Sequence, residues 1–233
     1  MPNLPPLLLL PGLLCNAELW QNQINALKSI VDCRVADTTR HDSIAAIAED
    51  VLRDAPPRFA LAGLSMGGYV AMEIMRRAPE RVTKLALLDT SARADTPEQK
   101  ERRRLLLAMA SHGQFKGVTP RLLPLLIHPN RLHDEALTHI IMHMAEKVGR
   151  DAFANQQTAI MNRSDSRDSL KNIACPTLVI GGRQDVLTPP ELVEEIAAGI
   201  KGAHLEIIED CGHLSALEQP QKVNSLMKAW LDA

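Results

Sequence analysis

Short apolar runs alternate along the chain with longer stretches in which apolar residues recur every three or four positions. Six such runs are bounded by Gly, Pro or Asp, and they occupy residues 6–10, 33–36, 59–63, 84–88, 177–180 and 205–208. Runs that are apolar at successive positions are typical of parallel strands buried on both faces. The stretches between them predict helices, so the sequence favours an α/β fold with a six-stranded, mainly parallel, doubly wound sheet.

Capping residues indicate where several of these helices begin. Asn16 can cap a helix that runs to about residue 30, and either Asp42 or Ser43 can cap the next one. A helix over 66–77 follows the third strand directly. Thr188-Pro189 is expected to open another helix, because proline suits the first helical position.

The region 90–172 interrupts the alternation, because it has no strand pattern and several helical ones. Thr96-Pro97-Glu98-Gln99 has the sequence of a capping box, and further helices are predicted over 120–127, 134–148 and 151–163. An insertion between parallel strands emerges at or beyond their carboxyl edge, where ligands bind in such sheets. We therefore predict a core formed by 1–89 and 173–233, with a helical lid formed by 90–172. Within that lid, Leu and Met side chains such as Leu105, Met109 and Met144 are expected either to form its core or to line a pocket.

Composition excludes several classes of function. The 233 residues are 45% hydrophobic, which is enough for a sizeable core, and a formal net charge of −2 gives no electrostatic reason to expect nucleic acid or a membrane surface. The first basic residue is Lys28, so a secretory signal is not expected, and we predict a cytoplasmic protein. Four widely separated cysteines are interpreted as small buried apolar residues, namely Cys15, Cys33, Cys175 and Cys211.

A glycine-flanked serine is the sharpest local signal. The third predicted strand passes into the helix over 66–77 through Gly63-Leu64-Ser65-Met66-Gly67. A G-x-S-x-G pattern between a strand and a helix is typical of a nucleophile elbow, a strained turn that exposes the serine hydroxyl. The glycines are expected because a side chain at either of them would collide with the strand or helix passing nearby.

Two further residues complete a catalytic set in the predicted fold. Serine needs a base to accept its proton, and His213 follows the last predicted strand. The imidazole in turn needs a carboxylate to fix its tautomer, and Asp185 follows the strand before it. Asp89 ends the fourth predicted strand and is the alternative acid. All of these residues lie beyond the carboxyl ends of strands, so the fold would bring them to one edge.

Acyl transfer also needs two donors for the oxyanion of the tetrahedral intermediate. Met66 supplies one backbone amide as the residue after the serine. The other is expected from the turn after the first strand, and we assign it to Leu13.

These blocks together resemble the α/β-hydrolase-fold serine esterases, across nearly the whole chain. The resemblance is to small bacterial carboxylesterases, pimeloyl-carrier-protein methyl esterases and 3-oxoadipate enol-lactonases. It implies a sheet ordered 2-1-3-4-5-6 in this chain's count, since the two strands that usually open the fold are missing. Many relatives have His-Gly at the oxyanion turn, whereas this chain has Pro11-Gly12. This departure affects the hydrogen bonding that supports the turn, but not the backbone amides of the turn.

The expected activity is hydrolysis of a small carboxylic ester through an acyl-enzyme intermediate, with no metal and no cofactor. An enol-lactonase or a carbon–carbon bond hydrolase is the alternative within the fold, and a non-catalytic binding protein is the alternative from another class. A dinucleotide site ending at Asp89 is disfavoured, because the turn is Gly-x-x-x-Gly-Gly rather than G-x-G-x-x-G. His139 and His143, four residues apart, could bind zinc but lack an H-E-x-x-H frame.

Overall fold

A single six-stranded sheet organises the computed structural model, which describes residues 4–112 and 115–233. Residues 1–3 and 113–114, which fall within the predicted core and lid ranges, lie outside the described residues. The strands are β1 (Leu7–Leu10), β2 (Cys33–Val35), β3 (Phe59–Leu64), β4 (Val82–Leu88), β5 (Thr177–Gly182) and β6 (His204–Ile208). They are ordered β2-β1-β3-β4-β5-β6, which confirms the predicted order.

Every strand pairing in this sheet is parallel, so the carboxyl ends of all six strands lie along one edge. The central pairing aligns Ala62 with Ala86 and Leu64 with Leu88. As a result the segments that follow β3 and β4 leave the sheet side by side. The predicted strand positions are confirmed, with bounds that differ by up to two residues.

Alternating side chains of β1 divide the core into two apolar layers. Leu7 and Leu9 pack into the layer on one face of the sheet, and Leu8 and Leu10 pack into the layer on the other. All four leucines are buried. Full burial of such a side chain contributes roughly 1.5–3 kcal/mol, so a strand buried on both faces stabilises both layers at once.

The two edge strands differ from the prediction of burial on both faces. β2 has no fully buried residue, and in β6 only Ile208 is buried. Each of these strands has a neighbour on one side only, so part of its surface faces solvent. The cysteines also differ in part from the prediction: all four are free, but Cys33 and Cys175 are only partly buried.

Nine α-helices surround this sheet in the described part of the chain. They are α1 (Gln21–Leu27), α2 (Ile44–Asp54), α3 (Met66–Arg77), α4 (Pro97–His112), α5 (Glu135–Met161), α6 (Arg167–Leu170), α7 (Pro190–Gly199), α8 (Ser215–Glu218) and α9 (Pro220–Asp232). Helix α3 has the predicted bounds. The Ser43 hydroxyl caps α2 by accepting a hydrogen bond from Ala46 N at 3.1 Å, which decides between the two predicted caps.

The capping box at the start of α4 is confirmed. Thr96 N donates to Gln99 Oε1 at 2.9 Å, and Gln99 N donates to Thr96 Oγ1 at 3.2 Å. These reciprocal bonds satisfy amides that would otherwise lack partners at the helix start.

Other helix predictions were wrong in detail. Asn16 caps a short 3-10 helix, and α1 then ends at Leu27 rather than near residue 30. Over 120–127 a 3-10 turn replaces the predicted α-helix, because Pro124 cannot sit inside an α-helix. By contrast, the two helices predicted over 134–148 and 151–163 are confirmed, since they form the two parts of α5, which is interrupted at Gly149 by a φ of 80° and a ψ of 178°.

The glycines of the serine turn are required by close backbone contacts, as predicted. A Cβ at Gly63 would lie 2.3 Å from Gly67 O, and one at Gly67 would lie 2.1 Å from Leu10 O. Real Cβ atoms do not approach a carbonyl oxygen so closely. The glycines therefore allow α3 to start directly against β1 and β3.

We expect Gly67→Ala to lower the free energy of unfolding by about 3 kcal/mol or more, because backbone rather than a flexible side chain must move. Gly202→Ala is the matched control. Gly202 has a φ of 79° and open space around its missing Cβ, so only the left-handed conformation opposes alanine there, at a cost of about 1–2 kcal/mol. Urea unfolding of both variants checks the ranking, and an equal loss in the two would contradict it.

Candidate active site

Ser65 occupies a strained turn between β3 and α3. Its backbone has φ 55° and ψ −115°, a conformation that is unfavourable for a residue with a Cβ. Two hydrogen bonds hold it: Ser65 N donates to Leu88 O at 2.9 Å, and Thr90 Oγ1 donates to Ser65 O at 2.7 Å. Both partners belong to β4 or the segment after it, so the neighbouring strand fixes the turn.

The structure brings the three predicted side chains together. His213 Nε2 lies 2.8 Å from Ser65 Oγ, and His213 Nδ1 lies 2.7 Å from Asp185 Oδ2. Asp185 and His213 are buried, whereas Ser65 is partly exposed. An imidazole bonded to a carboxylate through Nδ1 presents an unprotonated Nε2 to the hydroxyl. It can therefore accept the serine proton.

A turn of the backbone holds the Asp185 carboxylate. Leu187 N and Thr188 N donate to its Oδ1 at 2.8 and 2.9 Å, and Thr188 Oγ1 donates to its Oδ2 at 2.6 Å. Burial alone would raise the pKa of Asp185, but the charge of His213 and these hydrogen bonds together hold it below its usual value. The carboxyl is therefore ionised at neutral pH.

His213 shows the complementary effect. Burial favours the neutral imidazole, but the charge of Asp185 and its hydrogen bond outweigh burial and raise the pKa of His213 above its usual value. The buried ion pair thus favours the protonated imidazole, which is the form that exists after proton transfer from a serine.

Thr188 is a site residue that sequence reasoning missed. Its Oγ1 lies 2.6 Å from Asp185 Oδ2 and 3.2 Å from His213 Nδ1, so it touches both partners. The sequence suggested only a helix start, and α7 begins at Pro190, after Thr188. The available signal was Asp185 itself, because an aspartate in a turn often accepts hydrogen bonds from the backbone of the residues that follow it, as it does here from Leu187 and Thr188.

Asp89 lies beside these residues but holds the backbone instead of the imidazole. Its Oδ1 accepts a hydrogen bond from Gly182 N and its Oδ2 accepts one from Ser215 N, both at 3.1 Å. In the described part of the chain neither oxygen is bonded to His213. Burial and the nearby charge of Asp185 raise the pKa of Asp89 to about 8. The geometry therefore favours Asp185 as the partner of the imidazole.

Glu218 holds the loop that carries His213. Gly212 N and Leu214 N, on either side of the histidine, donate to its Oε1 at 3.0 and 3.2 Å. His128 N, from the region of the predicted lid, donates to its Oε2 at 2.6 Å. Burial raises the pKa of Glu218 despite these donors. The sequence predicted no role for this carboxyl, because its partners are backbone amides that meet it only after folding.

The turn after β1 lies against the serine. A Cβ at Gly12 would lie 3.3 Å from Ser65 Cβ, and Cys15 N closes the turn by donating to Gly12 O at 3.1 Å. Among the described residues, the backbone amides of Leu13 and Met66 have no hydrogen-bond acceptor. Met66 follows the serine and Leu13 belongs to the turn that lies against it, so both amides remain candidates for binding an oxyanion.

The two histidines that the sequence offered as a zinc site have no described hydrogen bond to Ser65, Asp185 or His213. His139 and His143 stack with ring centroids 5.7 Å apart on α5, and the described residues include no group of three or more potential metal ligands. None of the helices described is long and apolar enough to cross a membrane.

A parallel sheet ordered in this way, with a serine turn after β3, defines the α/β-hydrolase fold. The model of the Alpha/beta hydrolase family matches residues 7–226, and the chain therefore belongs to that family. The predicted fold class and the predicted resemblance are both confirmed.

Known proteins similar to this chain include several named as esterases. A pimeloyl-[acyl-carrier protein] methyl ester esterase from Nitrosomonas europaea is 26% identical over 97% of this chain and 96% of its own length. Among solved structures, a thermophilic esterase from Thermogutta terrifontis is 29% identical with a TM-score of 0.90, covering 99% of this chain and 90% of that one. The enol-lactonase from Burkholderia xenovorans, 24% identical with a TM-score of 0.86 over 99% of this chain and 92% of its own, shares the fold.

The pKa of His213 offers a direct test of this geometry. In the parent protein we expect it above the ordinary histidine value of about 6.5. In Asp185→Asn the pKa of His213 should fall, because the largest contribution that opposes burial is lost and only the smaller ones from Asp89 and Glu218 remain. Asp89→Asn should change it less, since Asp89, with a pKa of about 8, is protonated over most of the range in which histidine titrates. NMR titration of the imidazole checks this, and an unchanged pKa in Asp185→Asn would contradict it.

Proposed function

We propose that this protein is a serine hydrolase that cleaves small carboxylic esters through an acyl-enzyme intermediate. The observation that carries the proposal is the chain of hydrogen bonds from Ser65 Oγ through His213 to Asp185, at 2.8 and 2.7 Å. In this proposal Ser65 is the nucleophile, His213 the general base and acid, and Asp185 the residue that fixes the imidazole.

The first half of the reaction forms the acyl-enzyme. Ser65 Oγ attacks the ester carbonyl carbon while His213 Nε2 accepts the hydroxyl proton. The carbonyl oxygen becomes an oxyanion, which accepts hydrogen bonds from the amides of Leu13 and Met66. His213 then donates its proton to the leaving alcohol oxygen as the carbon–oxygen bond breaks, and the acyl group remains on Ser65.

The second half releases the acid. His213 removes a proton from a water molecule, whose oxygen attacks the acyl carbon, and the same two amides hold the second oxyanion. The protonated imidazole returns its proton to Ser65 Oγ as the acyl–serine bond breaks. Asp185 stays ionised throughout and stabilises the imidazolium in both halves.

We propose that residues 90–172 form a lid that contacts the acyl group. In support, α4 buries none of its side chains, and Leu105 and Met109 are 58% and 72% exposed. These two therefore do not form a lid core, whereas Met144 is buried in the apolar layer that also contains Leu7 and Leu9 of β1. Flexible apolar side chains of this kind suit short to medium aliphatic acyl groups.

The names of similar proteins support an ester as the substrate class. Lactones contain the same reacting carbonyl, so an enol-lactonase activity needs only a different pocket shape. A substrate panel of p-nitrophenyl esters, lactones and thioesters distinguishes these cases. A non-catalytic binding protein would have no need of a serine hydroxyl bonded to a buried histidine that is in turn bonded to a buried aspartate.

Ser65→Ala should abolish both ester hydrolysis and labelling by a fluorophosphonate, because the nucleophile itself is missing. Circular dichroism of the variant should match that of the parent, since the change removes one partly exposed hydroxyl. Ser215→Ala is the control, because Ser215 lies two residues after His213 but outside the serine turn. The fluorophosphonate should still label this variant. Parent-like turnover in Ser65→Ala would contradict the mechanism, and absence of labelling in the folded parent would favour a binding protein.

Asp185→Asn should lower kcat by about 10⁴, because the amide no longer fixes the required tautomer or stabilises the imidazolium. Asp89→Asn is the comparison, and it should lower kcat far less since Asp89 bonds the backbone. Steady-state kinetics on one p-nitrophenyl ester measure both. If Asp89→Asn were the more severely impaired variant, the assignment of the acid would be wrong.

A further inference from the structure

Gln156 connects α5 to the turn that follows β1, although it is separated by 142 residues from its partner there. Its Oε1 accepts a hydrogen bond from Leu14 N at 3.0 Å. Its Nε2 donates to Thr38 O, in the segment after β2, at 3.3 Å. One side-chain amide therefore joins two backbone segments at the carboxyl edge of the sheet.

The environment of this amide makes both bonds strong constraints. Gln156 has no exposed surface, Leu14 is 7% exposed and Thr38 is 1% exposed, so water is not available to replace either bond. Only one orientation of the amide serves both partners, because Leu14 offers a donor and Thr38 offers an acceptor. The Gln156 side chain is therefore held by hydrogen bonds at its amide group as well as by the packing around it.

The turn that Gln156 holds is strained. Leu14 has a φ of 59°, a left-handed conformation in which leucine is rarely found. Pro11, at the start of the turn, has no N–H and no polar side chain, so it offers the turn only a carbonyl acceptor. Cys15 N closes the turn onto Gly12 O, and Gln156 fixes the peptide group between Leu13 and Leu14.

The amide of Leu13 belongs to the adjacent peptide group of the same turn. Three hydrogen bonds hold that turn: Cys15 N donates to Gly12 O at 3.1 Å, Cys15 Sγ donates to Leu13 O at 3.5 Å, and Leu14 N donates to Gln156 Oε1 at 3.0 Å. Only the last of these comes from outside the turn, so its loss would leave both peptide groups freer to rotate. The geometry points to Gln156 as a positioning residue that aims the Leu13 amide at the oxyanion formed on Ser65. This inference rests on the proposed function, since it assumes that an oxyanion forms there.

Replacement of Gln156 by an apolar side chain of similar length tests the inference. In Gln156→Met we expect kcat to fall by about 10-fold to 100-fold with KM within about 3-fold, because the misdirected amide is needed chiefly in the transition state. Affinity for an alkyl trifluoromethyl ketone, whose carbonyl becomes a tetrahedral oxyanion on serine, should fall by the same factor as kcat/KM. A residue with a merely structural role would not produce this matched loss.

Gln157→Met is the matched control, since Gln157 is the next residue, is 2% exposed and accepts a hydrogen bond from Arg103 at 2.7 Å. It should keep parent kcat and parent affinity for the ketone. Gln156→Asn is a second variant that keeps an amide but is too short to reach both Leu14 and Thr38. It should show the same loss as Gln156→Met, and it decides the question if the methionine variant does not fold.

The outcomes separate this inference from the function on which it rests. If the parent hydrolyses esters and binds the ketone, but a folded Gln156 variant matches it in kcat and in ketone affinity, the inference is wrong and the function stands. An equal loss of ketone affinity in Gln157→Met would also overturn the inference. If the folded parent neither hydrolyses esters nor binds the ketone, the proposed function fails first.

Discussion

Two hydrogen bonds to β4 and the segment after it hold Ser65 in a turn with positive φ. The arrangement of the side chains at the carboxyl edge of the sheet depends on these two bonds. One involves the backbone of Leu88 and the other the Thr90 hydroxyl. Because β3 and β4 are paired in parallel with Leu64 opposite Leu88, the Leu88 carbonyl and the Thr90 hydroxyl lie beside the turn that follows β3. The glycines at 63 and 67 then let α3 pack close enough to support the turn from the other side.

Buried carboxyl groups organise the loops around that turn. Asp89 bonds the end of β5 and the start of α8, Asp185 orients His213, and Glu218 holds the amides on either side of that histidine. A buried carboxyl is costly unless donors surround it, so each one specifies a particular loop conformation. Apolar packing alone would fix the positions of these loops less precisely, because it is not directional.

The sequence was informative where a residue acts through its own strand or turn. The elbow glycines and the contacts among Ser65, Asp185 and His213 depend on local patterns and on the rule that parallel strands end at one edge. The strand order was predicted from the resemblance to the α/β-hydrolase fold. Sequence reasoning missed Thr188, Glu218 and Gln156, whose roles depend on which backbone amides or side chains they meet after folding. Gln156 is the clearest case, because nothing near it in sequence indicates a partner 142 residues away.

Four residues other than glycine have a positive φ in the described part of the chain, and each follows a strand at the carboxyl edge. They are Leu14, Ser65, Asp89 and Asp210. Strain of this kind costs of order 1–3 kcal/mol for each residue, which is considerable beside a typical net stability of about 5–15 kcal/mol. Selection for heat resistance alone would therefore favour relaxing these four positions first. At Leu14 and Ser65 that gain would alter the turns that carry the proposed oxyanion donor and the proposed nucleophile, so in the proposed mechanism thermal stability and turnover depend on the same backbone angles.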